Sequence, residues 1–418
     1  MKTFIKLTLC LIFSAFLLSG CTNKQMQEEK ITIEFWTLQL SDFTPYMNSM
    51  IDEYEKSHPN IKIKWIDVPF SEGEKRVLAS IMSNHVPDLV NLNPSFSSIL
   101  ASKGTLSNIS TYSEKKDFDD FLSPAINLCT QNEKIYCIPW YITSSITLYN
   151  SDLTEKAGIK KLPQKDEELY EFATQIKSKT GKYALMPTLS EDGYMLKNLV
   201  KHNIHIIDEK TEQISLNTTD VQNIYKIWSE LYSKGFIPKE SITQTHREAL
   251  EKYMSGELAM LQTGANFLVM IKDNAPDIYK KTKLAPQLNL ENGVVDFSMM
   301  NLIIPEKSKH KKEALEFALF LTNEKNQLEF SKLAPVLPSS KKALDNDFFD
   351  SNATLIEHGR KISAYQMKTG EKNIPLYPQQ KEINTTIDYA SQKIILKKET
   401  PQNALDEAEE KLKNILFK

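Results

Sequence analysis

The chain has 418 residues, of which 41% are hydrophobic and 25% charged, with a formal net charge of −3. That is the composition of a soluble globular protein and excludes a disordered or multi-span membrane chain. Lysine and glutamate are mixed throughout, so no basic face for nucleic acid emerges, and glycine, at 12 residues, is too scarce to suggest a phosphate-cradling loop.

The first residues carry Lys2 and Lys6 and no acid, and an apolar run follows from Leu7 to Leu18. Such a run is too short to span a bilayer but has the length of a signal-peptide core. It ends at Leu18-Ser19-Gly20-Cys21, which resembles a bacterial lipobox, so residues 1–20 are expected to be cleaved and Cys21 lipidated. Each buried acyl CH₂ contributes about 0.8 kcal/mol, enough for two or three chains to hold a protein durably at a membrane surface. Residues 21–30 then read as a polar tether. Removing 20 of 418 residues leaves 398, suited to two lobes, and the charge of −3 becomes −5 as Lys2 and Lys6 depart.

Strands and helices then alternate, the pattern of an α/β fold with a largely parallel sheet. Ile31–Thr37 reads as a strand. Thr44-Pro45 reads as the cap and first position of a helix whose apolar stripe is Met47, Met50, Ile51 and Tyr54. Ile61–Val68 alternates as a second strand. Ser71-Glu72-Gly73-Glu74 has capping-box spacing and opens a helix through Met82. Asp88–Leu92 is a third strand, and Asn93-Pro94 is again cap and first turn.

Cys129 and Cys137, in CTQNEKIYC, flank a turn-like QNEK. An exported compartment permits a disulfide, and two small buried thiols are the alternative. A long strand-like stretch, YCIPWYITSSITLYN, follows. A helix around Asp166–Ser178, a strand at Tyr183–Pro187 and an amphipathic helix from Val221 to Tyr232, closed by Gly235, come next. The stripe of that helix makes Trp228 a core residue. The last helix opens at Thr400-Pro401 and buries Leu405, Ala408, Leu412 and Ile415.

Local signatures of catalysis are missing: no GxGxxG, no P-loop, no G-x-S-x-G elbow, no HExxH and no EF-hand loop occur. His202 and His205 stand three apart without a Cys, Asp or Glu pattern beside them, which favours a structural role over a metal site. The chain is therefore expected to bind and not to catalyse, with no cofactor and no metal. An exported hydrolase remains the enzymatic alternative, since paired carboxylates are assembled in space.

Three segments carry a family resemblance. YMSGELAML (Tyr253–Leu261) resembles an F-x-x-G-x-x-A-M segment in which a helix ends at Gly256 and a strand begins at Ala259. EKSKHKKEALEFALFLTNEKNQLEF (Glu306–Phe330) resembles a paired-helix segment, followed by VLPSSKKAL. The tail from NIPLYPQQ to DEAEEKL is similar to the closing region of maltose-binding-type proteins. Together with YCIPWYITSSITLYN, they make residues 31–418 resemble family 1 extracellular solute-binding proteins. Relatives often carry glycine pairs where this chain has Phe297-Ser298-Met299-Met300, a departure at a point of close backbone–ligand approach.

The resemblance implies a two-lobed α/β fold of the periplasmic-binding type, each lobe a mainly parallel sheet flanked by helices. The first lobe would hold 31–143 and 301–335, and the second 145–300 and 338–418. It further implies a monomeric lipoprotein on the outer face of the cytoplasmic membrane, or on the periplasmic side of the envelope. That lipoprotein would deliver a carbohydrate, a di- or oligosaccharide, to an ABC permease. A non-sugar ligand on the same fold, or a sensor engaging a membrane receptor, are the alternatives.

Ligands of open α/β sheets bind beyond the carboxyl ends of the strands, which selects the loops Gln39–Phe43, Pro69–Ser71, Asn93–Ser95 and Thr188–Asp192. The resemblance adds Trp140, Tyr141, Thr263–Asn266 and Tyr377. A sugar offers hydroxyls and C–H patches, so Gln39, Asn93, Ser95, Asp192, Thr263 and Asn266 are candidate polar partners. Trp36, Phe70, Trp140, Tyr141 and Tyr377 are candidate aromatic partners. Trp140 stands first among them: its replacement by alanine is expected to weaken binding and leave folding largely intact.

Overall fold

The computed structural model describes residues 30–189, 191, 193–208 and 210–417. The expected signal peptide, Cys21 and Asp192 lie outside the described residues. Strand β1 (Ile31–Leu38) leads through a 3-10 turn into helix α1 (Thr44–Ser57), which buries Met47, Met50, Ile51 and Tyr54 as their spacing predicts. Thr44 is not the cap. Its hydroxyl donates back to the Ser41 carbonyl at 2.6 Å, and the free amides of Leu40 and Ser41 are taken by the Asp67 carboxylate, each at 2.9 Å. Asp67 of β2 (Ile61–Val68) thus caps the 3-10 turn that precedes α1, a partner that local sequence cannot reveal, while α1 itself starts after Phe43 with no side-chain cap.

Helix α2 (Phe70–Met82) starts right after Pro69, so Ser71 falls inside the first turn and no capping box forms. Glu74 instead accepts from the Asn93 amide at 2.9 Å. Asn93 does cap α3 (Pro94–Ser102), which follows β3 (Leu89–Leu92), by accepting from Phe96 N at 2.8 Å.

Strand β4 (Cys137–Asn150) runs through the middle of the sheet. Its first part pairs antiparallel with β7 (Phe297–Ile303), and its last part with β5 (Met260–Gly264) and β6 (Thr282–Ala285). The two-residue β8 (Leu337–Pro338) also pairs with it. The order is β6-β4-β7-β3-β1-β2. Pairing is parallel among β1, β2 and β3, and antiparallel wherever β4 or β7 takes part. The expected strand at Tyr183–Pro187 reduces to a single bridge between Tyr183 and Leu258. Its backbone is used up differently, because Ala184 N donates to the Phe236 carbonyl and the Ala184 carbonyl accepts from Met260 N.

Two cores flank the crossing strands. One gathers Ile33, Phe35, Ile138 and Trp140 with Phe317 of α6 (Lys311–Leu321) and Phe330 of α7 (Glu324–Leu333). The other gathers Tyr149, Phe172 and Trp228 with apolar residues of the C-terminal helices at Gln380–Ile395 and Pro401–Leu416. Trp228 lies on the helix Thr219–Ser233, is fully buried, and donates to Asn198 Oδ1 at 3.1 Å. Because β4 and β7 pass adjacent and antiparallel between the cores, the space above them is reached from both.

Candidate functional site

A cavity of 640 Å³ opens over the crossing strands, within the roughly 300–1,000 Å³ range of small-molecule sites. Phe70, Asn93 and Ser95 line one side, from the starts of α2 and α3. Tyr141, Thr143 and Phe297–Met300 form the floor. Leu196 and Lys197, on the helix Tyr194–Lys201, line the other side with Asp296, Gln380 and Asn384.

The far wall is rigidly held. Asp166 is buried and its Oδ2 accepts from Asn198 Nδ2 at 2.5 Å and Asn289 Nδ2 at 2.9 Å, which fixes the helix bearing Leu196 and Lys197. Burial pushes the Lys201 ammonium below its ordinary value of 10.5, against the opposing pull of Asp296 and Asp166. Gly193 precedes this helix at φ +66, where a side chain would be strained and would overlap Asn384. Asp296 is held through its backbone: its N–H donates to Gln287 Oε1 at 2.9 Å, and Gln287 N donates to Gln366 Oε1 at 2.7 Å. Gln366 in turn donates to Ser144 Oγ and the Ser145 carbonyl of β4, both at 2.9 Å.

A second cavity, of 920 Å³, adjoins the first and shares Leu128, Pro375 and Leu376 with it. Tyr377 lies there, as does His205. His202 is placed elsewhere, its Nδ1 against the Asn198 carbonyl at 2.9 Å, and no cluster of metal-ligating side chains occurs among the described residues.

Of the residues singled out from sequence, Phe70, Asn93, Ser95 and Tyr141 line the first cavity and Tyr377 the second. Trp140 reaches neither. It is fully buried, stacked on Phe330 with ring centroids 5.7 Å apart and tilted against Phe35 at 6.3 Å. Trp140 falls where β4 shifts register against β7, between Pro139 opposite Asn301 and Tyr141 opposite Met300, and its indole enters the core, while Tyr141, itself 5.4 Å from the Phe330 ring, also reaches the cavity. Burial, with the Asp67 charge near it, pushes the Tyr141 hydroxyl well above its ordinary value of 10.0.

Trp36 is also a core residue. Its Nε1 donates to Glu34 Oε1 at 2.8 Å, and the Arg76 guanidinium sits 5.0 Å above its ring. Gln39 is exposed at φ +55, where its backbone N–H donates to the Val68 carbonyl, and it lines neither cavity. Thr263 is buried against His246, Oγ1 to Nε2 at 3.0 Å. Asn266 faces a separate small cavity of 50 Å³ beside Ser331, Arg360 and Ser363.

Sequence reasoning passed over Lys197, Asp296, Gln380 and Asn384. Gln380 and Asn384 stand one helical turn apart just after Tyr377, with Gln380 Nε2 donating to Asn384 Oδ1 at 2.7 Å. Two amides on one face at a helix start, beside a residue already singled out, were the available signal. Asp296 directly precedes the Phe297–Met300 segment that departs from the family pattern.

Burial holds the His246 imidazole below its ordinary value of 6.5. Between that lowered value and 6.5 the unfolded chain takes up a proton that the folded chain refuses, so stability should fall as pH drops below about 6.5. Urea midpoints at pH 7.5 and 5.5 should show the wild type losing more than His246→Gln; equal losses would exclude the imidazole as the cause.

A family model for bacterial extracellular solute-binding proteins matches residues 40–328. The arabinooligosaccharide-binding protein of Bacillus subtilis (strain 168) is 23% identical, covering 98% of this chain and 99% of that one. The galactooligosaccharide-binding protein of the same organism is 25% identical, with 95% and 93% covered. A solved structure of a candidate oligosaccharide periplasmic-binding protein from Synechococcus sp. MITs9220 is 32% identical, with a TM-score of 0.86, covering 92% of this chain and 98% of that one.

Proposed function

The chain belongs to the family of bacterial extracellular solute-binding proteins, and from that premise we propose that it captures an oligosaccharide between two closing lobes and hands it to an ABC permease. The observation that carries the sugar assignment is the first cavity itself. It combines aromatic faces, Phe70 and Tyr141, with amides and charges, Asn93, Lys197, Asp296, Gln380 and Asn384, contributed from both sides of the crossing strands. Aromatic faces take the C–H patches of a pyranose, and the polar groups take its hydroxyls, each hydrogen bond contributing about 0.5–1.5 kcal/mol net. Similarity to the two oligosaccharide-binding relatives over more than nine-tenths of each chain supports the same class of ligand.

In this reading, residues 31–143 with 301–335 and residues 145–300 with 338–418 move as lobes about β4 and β7. A ligand touching both walls favours the closed form through its higher affinity for it. No helix among the described residues is long and apolar enough to cross a membrane. In the same reading, an acylated Cys21 would keep a monomeric protein beside its permease. The apolar share of the lining, Leu128, Leu196, Val295 and Leu376 among it, favours as second reading a non-sugar solute with an extended apolar face.

A thermal-shift screen of the full chain in detergent separates the two. The panel holds arabino-, galacto- and malto-oligosaccharides, with polyols and polyamines as controls. A ligand at 100 times its dissociation constant adds about 2.7 kcal/mol of stability, so one glycan class should raise the melting temperature by several degrees. Shifts with the controls and none with any glycan would overturn the carbohydrate reading.

A further inference from the structure

We propose that the ligand is an oligosaccharide long enough to run from the first cavity through the Leu128–Pro375–Leu376 neck into the second, and that the hairpin joining Cys129 to Cys137 is the wall that sets how much of the chain is held. The inference rests on the carbohydrate reading above and extends it to chain length.

The two cavities meet at a constriction made of three apolar side chains, one from the first side and two from the second. Each cavity alone falls in the size range of a site for a drug-sized ligand. A disaccharide would therefore fill the first and leave the second to solvent. The second is built from both sides in the same manner as the first, with Ser98, Asn127 and Gln131 facing Asp208, Asn373 and Tyr377. Tyr136 and Tyr377 bring aromatic faces to it, so it repeats the amide, carboxylate and ring chemistry of the first chamber. Its neck offers C–H surface, which suits the ring edges of a chain passing through.

The hairpin wall is held by more than its turn. Thr130–Gln131 pairs antiparallel with Lys134–Ile135, and Asn132 and Glu133 make the turn at φ +49 and +61. Two short strands would be marginal alone. Here Cys129 and Cys137 stand in disulfide geometry with Cα atoms 4.9 Å apart, and Ile135 N donates to Ser110 Oγ at 3.1 Å. Both cysteines line the second cavity, so the link sits in the wall a longer glycan would meet.

The test is calorimetric titration of the full chain in detergent with arabino-, galacto- and malto-oligosaccharides from di- to hexasaccharide. Affinity in the bound series should rise about tenfold or more from disaccharide to tetrasaccharide, the yield of two further hydrogen bonds. Ser98→Trp, which puts an indole into the second cavity and obstructs it, should abolish that rise while leaving disaccharide affinity within about twofold. The double variant Cys129→Ser/Cys137→Ser should flatten it likewise. A glycan bound with no dependence on length, or a rise that survives Ser98→Trp, overturns the inference alone. Binding of no glycan at any length overturns the carbohydrate reading and this extension with it.

Discussion

Trp140→Ala should cost about 3–5 kcal/mol of stability, the range for deleting a large buried aromatic, and should leave ligand affinity of the folded fraction unchanged. This reverses the sequence-based expectation. Trp140 is fully buried, stacks on Phe330 and meets Tyr141 edge-on at 5.2 Å. Deleting its indole opens a void beneath Tyr141, between the N-terminal strands and α7. Trp140→Phe should cost much less, because the indole Nε1 has no hydrogen-bond partner among the described residues. A buried N–H without an acceptor carries a penalty of about 1–3 kcal/mol, which the phenyl ring avoids. Urea denaturation of the three proteins, with titration of ligand at low denaturant, checks both points. An alanine variant as stable as wild type but binding weakly would return Trp140 to the cleft.

Asp296→Asn should lower ligand affinity by about tenfold or more and leave a folded protein. A carboxylate accepts from two neighbouring ring hydroxyls at once, and hydrogen bonds to charged groups contribute about 1.5–3 kcal/mol, or about tenfold per 1.4 kcal/mol. The position does not depend on the charge, since Asp296 is oriented through its own N–H, Gln287 and Gln366 back to β4. Among the described residues lining the first cavity Asp296 is the one acid. Calorimetry with the glycan class found in the thermal screen measures the loss. Unchanged affinity would place the ligand's polar contacts on Asn93, Lys197 and the Gln380–Asn384 pair instead.

Much of the fold was legible in the sequence because the signals are local. Helical stripes such as Met47, Met50, Ile51 and Tyr54, the alternation of Ile61–Val68, the Asn93 and Thr400 caps and the Gly235 stop each depend on residues within a turn or two. The misread caps at Thr44 and Ser71 fail for a common reason: a 3-10 turn whose amides the distant Asp67 takes, or a helix starting two residues early at Phe70, changes which amides need a partner. The strand expected at Tyr183 fails because its amides found other acceptors.

By itself the sequence determined an α/β fold, which faces of its helices were apolar, and that Phe70, Asn93 and Ser95 lay where strands give way to loops; its family resemblance added the two-lobed binding fold and the positions Tyr141 and Tyr377. Only the tertiary structure decided that Tyr141 and not Trp140 lines the cleft. It also brought Lys197, Asp296, Gln380 and Asn384 together with Asn93 across long stretches of chain. The reason is physical. Periodicity says that neighbouring strand residues point to opposite faces, but which face meets water depends on what packs over the sheet. Here Phe330 of α7 packs against both Trp140 and Tyr141, and Tyr141, not Trp140, also borders the opening between the two cores.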